Sequence, residues 1–167
     1  MKNLRLIHLV LTAALWSSMT NAASEMPLTM QGTWTLVAAY EVLANGTRTT
    51  NYSEHPRGLL MVDKAGRYSL QIFRPDRRKF ISGVKSKGTS DEYRDAVLGS
   101  STHTGNVSVD AAKHQLIFDI ETASYPNWEQ TQQVRDYVFQ EDTLTYSVPA
   151  SASGNGTIAY SVWKRAP

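Results

Sequence analysis

The chain contains no cysteine. That absence removes disulfides, thiolate nucleophiles and cysteine-based metal sites together. No internal apolar run approaches the roughly 18 residues that a transmembrane helix needs, so stable membrane insertion is not expected. The signatures G-x-S-x-G, H-E-x-x-H and the phosphate-binding glycine loop are all missing, and with them the common hydrolase, zinc-protease and nucleotide-binding patterns. Carboxylates are scattered, and no pair stands out as an acid/base couple. We therefore expect no metal and no cofactor. Charge of one sign is also lacking. Without Lys2 and Arg5, 15 of the 17 basic residues remain against 15 acidic ones. A neutral balance argues against nucleic acid as a partner.

What is present begins with a short basic start, Lys2 and Arg5. A largely apolar run follows from Leu6 to Trp16, then small and polar residues up to Ala23. This is the order of a secretory signal peptide. We expect residues 1–22 to be that signal, 23–31 a short linker and 32–166 one domain. The mature protein is then secreted or periplasmic, and its core must hold it together without disulfides.

From Gly32 onward the dominant period is two. Trp34, Leu36, Ala38, Tyr40 and Val42 alternate with Thr35, Val37, Ala39 and Glu41, the pattern of a half-buried strand. Asn45-Gly46 is a turn dipeptide. Gly58–Asp63 and Arg67–Phe73 form a hairpin around Lys64-Ala65-Gly66, with Tyr68, Leu70 and Ile72 on one face. The basic stretch from Arg74 to Lys87 breaks the pattern and reads as a solvated loop. A short helix over Ser90–Leu98 follows. Ser90 is its expected N-cap, Asp91 and Glu92 suit its first turn, and Gly99 ends it. Tyr93, Val97 and Leu98 are its expected buried stripe.

Strands then resume. His103, Gly105, Val107 and Val109 share a face, as do His114, Leu116, Phe118 and Ile120. Gln132–Phe139, Thr143–Val148 and Thr157–Arg165 complete the set, with a polar loop over residues 151–155. Eight strands joined mostly by short turns predict an all-β, eight-stranded antiparallel up-and-down barrel with one short helix. The period-two reading places Trp34, Leu36, Leu70, Leu116, Phe118 and Tyr160 in one core. Such a barrel has an interior just wide enough for one small ligand.

The ordered motifs resemble those of the lipocalin-like domain family of small bacterial and fungal proteins. Gly32-Thr33-Trp34-Thr35-Leu36-Val37 is similar to the family's opening G-x-W-x-L-V. Pro56-Arg57-Gly58-Leu59-Leu60 and Gly66-Arg67-Tyr68-Ser69-Leu70-Gln71-Ile72 resemble its next hairpin. Tyr125-Pro126-Asn127-Trp128 with Arg135-Asp136-Tyr137, and the closing Trp163-Lys164-Arg165, match its later segments. Where many relatives carry Y-x-G-x-Y, this chain has His103-Thr104-Gly105-Asn106-Val107. The resemblance implies a barrel with a pocket and does not fix a reaction.

Several residues are candidates for the pocket. His103 and His114 sit on apolar strand faces. They are either paired imidazoles inside the barrel or solvated rim residues. Arg135 and Tyr137 share a face of the sixth strand, where an inward guanidinium fork can hold a carboxylate or enolate oxygen. Their alternative is the solvated face. Tyr125 and Trp128 line a ligand entrance or pack over a barrel end. Trp34, Trp163 and Arg165 are expected to be structural, with an arginine covering a tryptophan at the closed end. The leading expectation is binding of a small apolar or amphipathic molecule. The rivals are an isomerase- or cyclase-type enzyme using Arg135, Tyr137 and His103, and a solid barrel acting as an interaction module.

Overall fold

A computed structural model describes residues 26–27, 29–149 and 157–167. The expected signal segment and the polar loop at 151–155 lie outside the described residues. Nine strands are described: β1 (Gly32–Val42), β2 (Arg48–Thr49), β3 (Arg57–Val62), β4 (Arg67–Phe73), β5 (Ser100–Asp110), β6 (Gln115–Ala123), β7 (Thr131–Gln140), β8 (Thr143–Val148) and β9 (Ile158–Arg165). Every neighbouring pair is antiparallel, and β9 returns to β1. Eight strands thus close into a barrel with no free edge. The two-residue β2 only folds back on the end of β1, through the Asn45-Gly46 turn.

Turn chemistry explains the tight corners. Gly66, at φ +82°, closes the β3–β4 hairpin, and an added Cβ would meet the Val107 carbonyl at 2.6 Å. Gly105 lies still closer to its neighbour. A Cβ there would sit 2.0 Å from the Asp119 carbonyl, so only glycine fits where β5 crosses β6. The pairing register shifts beside it, leaving Glu121 as the extra residue of a bulge.

A second bulge changes which side chains face inward. In β1 the register with β9 shifts between Leu36 and Ala38. Trp34 and Leu36 point inward before the shift, and Ala39 is the buried residue after it. The expected run Ala38, Tyr40, Val42 is therefore corrected to the opposite parity. Tyr160 is corrected with it. It lies opposite Tyr40 in the ladder and stacks on that ring at 5.1 Å, while the Arg48 guanidinium sits 3.6 Å over Tyr40. The other five residues of the expected core (Trp34, Leu36, Leu70, Leu116 and Phe118) are all buried.

The helix α1 (Ser90–Leu98) forms where its pattern predicts, but two details differ. Its N-cap is Thr89, not Ser90. The Thr89 hydroxyl accepts from the Glu92 N–H, and the Glu92 carboxylate accepts from the Thr89 N–H, a reciprocal capping box. The expected apolar stripe is exposed: Tyr93, Val97 and Leu98 are 39%, 57% and 60% accessible, and the buried residue is Glu92. The reason is that charges anchor this helix. Glu92 also accepts from the Ile81 N–H at 2.8 Å, and Asp95 pairs with Arg74 and accepts from the Arg78 N–H. Backbone N–H donors hold both carboxyls below their usual pKa. The basic stretch is thus pinned at the end of the barrel where β4 and β5 are joined.

The face assignment has a measurable consequence. Phe118→Ala is expected to cost about 3–5 kcal/mol in urea denaturation, because the ring is fully buried. Val138→Ala, on the outer face of β7 and 55% exposed, is expected to stay within about 0.5 kcal/mol.

Candidate functional site

The two ends of the barrel differ. At the base, Trp34 is fully buried and its indole N–H donates to the Met30 carbonyl at 3.2 Å. The Arg165 guanidinium lies 4.2 Å over the Trp34 ring and donates to the Gln31 and Thr29 carbonyls. Met26 and Met30 are buried beneath it. The described part of the expected linker therefore packs against the barrel base. A cation over an indole, tied to backbone carbonyls, closes this end.

At the opposite end a cavity of about 160 Å³ opens. Its wall is mostly apolar and includes Tyr52, Ile72, Trp128, Val148, Ser101 and Ser161. Trp128 ends a short 3-10 turn, Pro126–Trp128, that begins with Pro126. Its carbonyl accepts from the Thr131 hydroxyl at 2.6 Å. Tyr125 meets the Trp128 ring edge-on at 5.5 Å and remains 46% exposed. Glu41 also lines the cavity, and it accepts from the Thr157 hydroxyl.

Between mouth and base lies a buried polar cluster. His103 stands in β5 and Arg135 in β7, and each is only 3% exposed. The Arg135 Nη2 lies 3.3 Å from His103 Nε2 and donates to Gln133 Oε1 at 2.7 Å. The Tyr68 hydroxyl lies 2.8 Å from His103 Nδ1. Arginine offers only donors, so Nε2 must accept. The proton of the neutral ring then sits on Nδ1 and points at the Tyr68 oxygen. Burial, then the Arg135 charge, push the His103 pKa down from 6.5 to about 2. The ring is therefore neutral at physiological pH and a feeble base.

Arg135 itself rests on aromatic faces, 4.2 Å over Phe118 and 5.1 Å over Tyr146. Burial lowers its pKa. Burial raises the pKa of Tyr146, while the Arg135 charge and hydrogen-bonding contacts with Ser161, Trp163 and Arg135 act in the other direction. Arg135 and Trp163 nonetheless approach the Tyr146 hydroxyl without good geometry: among the described residues Arg135 Nε, the Tyr146 hydroxyl and Trp163 Nε1 are buried and make no well-formed hydrogen bond.

The structure brings together some of the residues chosen from sequence and separates others. His103, Arg135 and Trp128 meet, with Trp128 edge-on to His103 at 6.0 Å. Tyr137 is half-buried two residues further toward the base, and its ring lies 6.0 Å from that of His114. His114 is exposed. Its φ of +54° places it in the turn before β6 rather than on the strand's inner face. Trp163 is fully buried and stacks on Tyr146 at 6.4 Å. Sequence reading missed Tyr68, Gln133, Tyr146 and Ser161 as parts of the cluster. The period-two alternation held the signal for each: Tyr68 shares a face with Leu70, Gln133 with Arg135, Tyr146 with Leu144, and Ser161 with Trp163.

An antiparallel barrel closed at one end, with a cavity at the other, is the architecture of a ligand-binding barrel. The chain belongs to the lipocalin-like domain family, whose model matches residues 31–166. No curated protein matches it.

The buried imidazole makes stability depend on pH. The unfolded histidine binds a proton below about 6.5, and the folded one only near 2. Between those values the unfolded chain holds the extra proton, so stability falls as pH falls, by up to about 1.4 kcal/mol per pH unit from this group. Melting curves from pH 7 to pH 4 are expected to decline less steeply for His103→Gln than for the native protein.

Proposed function

We propose that the barrel binds a small, mostly apolar molecule that enters past Trp128, and that it does so outside the cytoplasm. The observation that supports binding is the mostly apolar cavity of about 160 Å³ at the mouth. A dry cavity of roughly that size takes up benzene. It is smaller than the ~300 Å³ at which drug-sized sites begin. A compact ring fits wholly inside, and a longer ligand would extend through the mouth. The enzyme reading is less well supported, because His103 is held neutral between Tyr68 and Arg135 and is a feeble base. The solid-barrel reading fits the lower barrel, where Trp34, Leu144, Phe118 and Trp163 fill the interior, but leaves the mouth cavity without a role.

Export rests on the basic start and apolar run at the N-terminus. N-terminal sequencing of exported protein is expected to return Ala23 or Ser24 as the first residue. Met1 would refute export with cleavage.

Binding is tested on the mature protein. Native mass spectrometry of material purified from its host is expected to show a retained small molecule. Toluene is expected to raise the melting temperature by linkage. The effect should vanish in Ala159→Phe, which fills the cavity wall. No shift with the native protein would refute the reading.

A further inference from the structure

We propose that the ligand carries a carboxylate, or an oxyanion of similar shape, and that Arg135, Tyr146 and Trp163 hold it just below the mouth cavity. This deepens the small-molecule reading above and rests on it.

The inference starts from an excess of donors. Among the described residues Arg135 Nε, the Tyr146 hydroxyl and Trp163 Nε1 are buried and make no well-formed hydrogen bond; two donors converge on the one phenol oxygen with poor geometry. The first and third can only donate, and the second can donate. They are neighbours. The Arg135 guanidinium lies 5.1 Å from the Tyr146 ring centre, and Trp163 stacks on the same ring at 6.4 Å. Gln133 Oε1 and His103 Nε2 both face Arg135 Nη2, which leaves Arg135 Nε and Trp163 Nε1 to share the poorly aligned Tyr146 oxygen. Tyr68 adds to the imbalance. With the His103 proton on Nδ1, the Tyr68 oxygen accepts that bond and its own proton is left to donate.

Charge narrows the choice of acceptor. Among the described residues no carboxylate forms an ion pair with Arg135. A lone buried cation is costly. A ketone or alcohol oxygen would satisfy donors and leave that charge uncompensated. A carboxylate brings two oxygens with about four lone-pair sites, enough for all three donors, and cancels the charge.

Access and orientation agree. Ser161 lines the mouth cavity, pairs with Tyr146 in the ladder and contacts its hydroxyl, so that hydroxyl lies directly behind the cavity wall. Glu41, at the rim of the same cavity, repels an anion left at the mouth. The favoured pose places the acidic head inward on Arg135 and the apolar body against Trp128.

The test compares three ligands that share one ring: benzoate, benzyl alcohol and benzylamine, titrated calorimetrically into mature protein at neutral pH. Benzoate is expected to bind at least about tenfold more tightly than benzyl alcohol, with benzylamine weakest. Arg135→Met is expected to weaken benzoate by about thirtyfold or more and benzyl alcohol far less, because only benzoate loses a charge partner. Trp163→Phe, which deletes the N–H and keeps an aromatic ring, is expected to cost benzoate about fivefold or more. If a thermal melt shows that a variant is unfolded, the ranking on native protein decides. Equal affinity for benzoate and benzyl alcohol overturns the acidic-head inference and leaves small-molecule binding intact. So does toluene stabilisation without benzoate binding. If no ring compound binds at millimolar concentration, both readings fail together.

Discussion

The interior of this barrel is organised around a guanidinium buried among aromatic rings. Arg135 lies over Phe118 and Tyr146, and its Nη2 is shared between Gln133 and His103. A charge in that position dictates its surroundings. The imidazole facing it must accept rather than donate, which fixes its tautomer and turns Nδ1 toward Tyr68. The tyrosines nearby gain stabilisation as phenolates from the cation yet remain neutral, because burial outweighs it. Aromatic faces supply partial negative charge where no carboxylate stands. The layers on either side are simpler: apolar walls above, a tryptophan plug below.

Much of the fold is legible in the residues because period-two alternation and turn dipeptides act locally. The exceptions share a cause. A β-bulge needs no special residue, so nothing in Leu36-Val37-Ala38 announces the register shift that turns Ala39 inward and Tyr40 outward. His114 continues the alternation of Leu116 and Phe118 on paper, yet adopts a left-handed turn conformation. In α1, three apolar residues at helical spacing mark an exposed face, and a glutamate marks the buried one. Apolar character predicted burial there, and a capping box of two N–H donors, joined by the Ile81 N–H on the same carboxylate, overrode it.

The candidate site was readable in part. Strand β7 presents Gln133, Arg135, Tyr137 and Phe139 on one side and Val134, Asp136 and Val138 on the other. Composition points the valines inward, and the structure places them outward, with Val138 more than half exposed. Periodicity separates the two faces of such a strand but does not say which is inner. What the sequence could not show is convergence. Arg135, Tyr146 and Trp163 come from three adjacent strands, and the curvature of the barrel brings Tyr68, from β4, across to them through His103.

The plugged base gives the interior the geometry of a blind tube. With Trp34, Arg165 and the two methionines sealing one end, a ligand entering past Trp128, as proposed above, leaves the same way. Traffic is then strictly sequential: an occupant must depart before its successor can reach the deep layer. In the binding reading proposed above, the turn Pro126–Trp128, which supplies Trp128 to the cavity wall, governs how long each occupant stays.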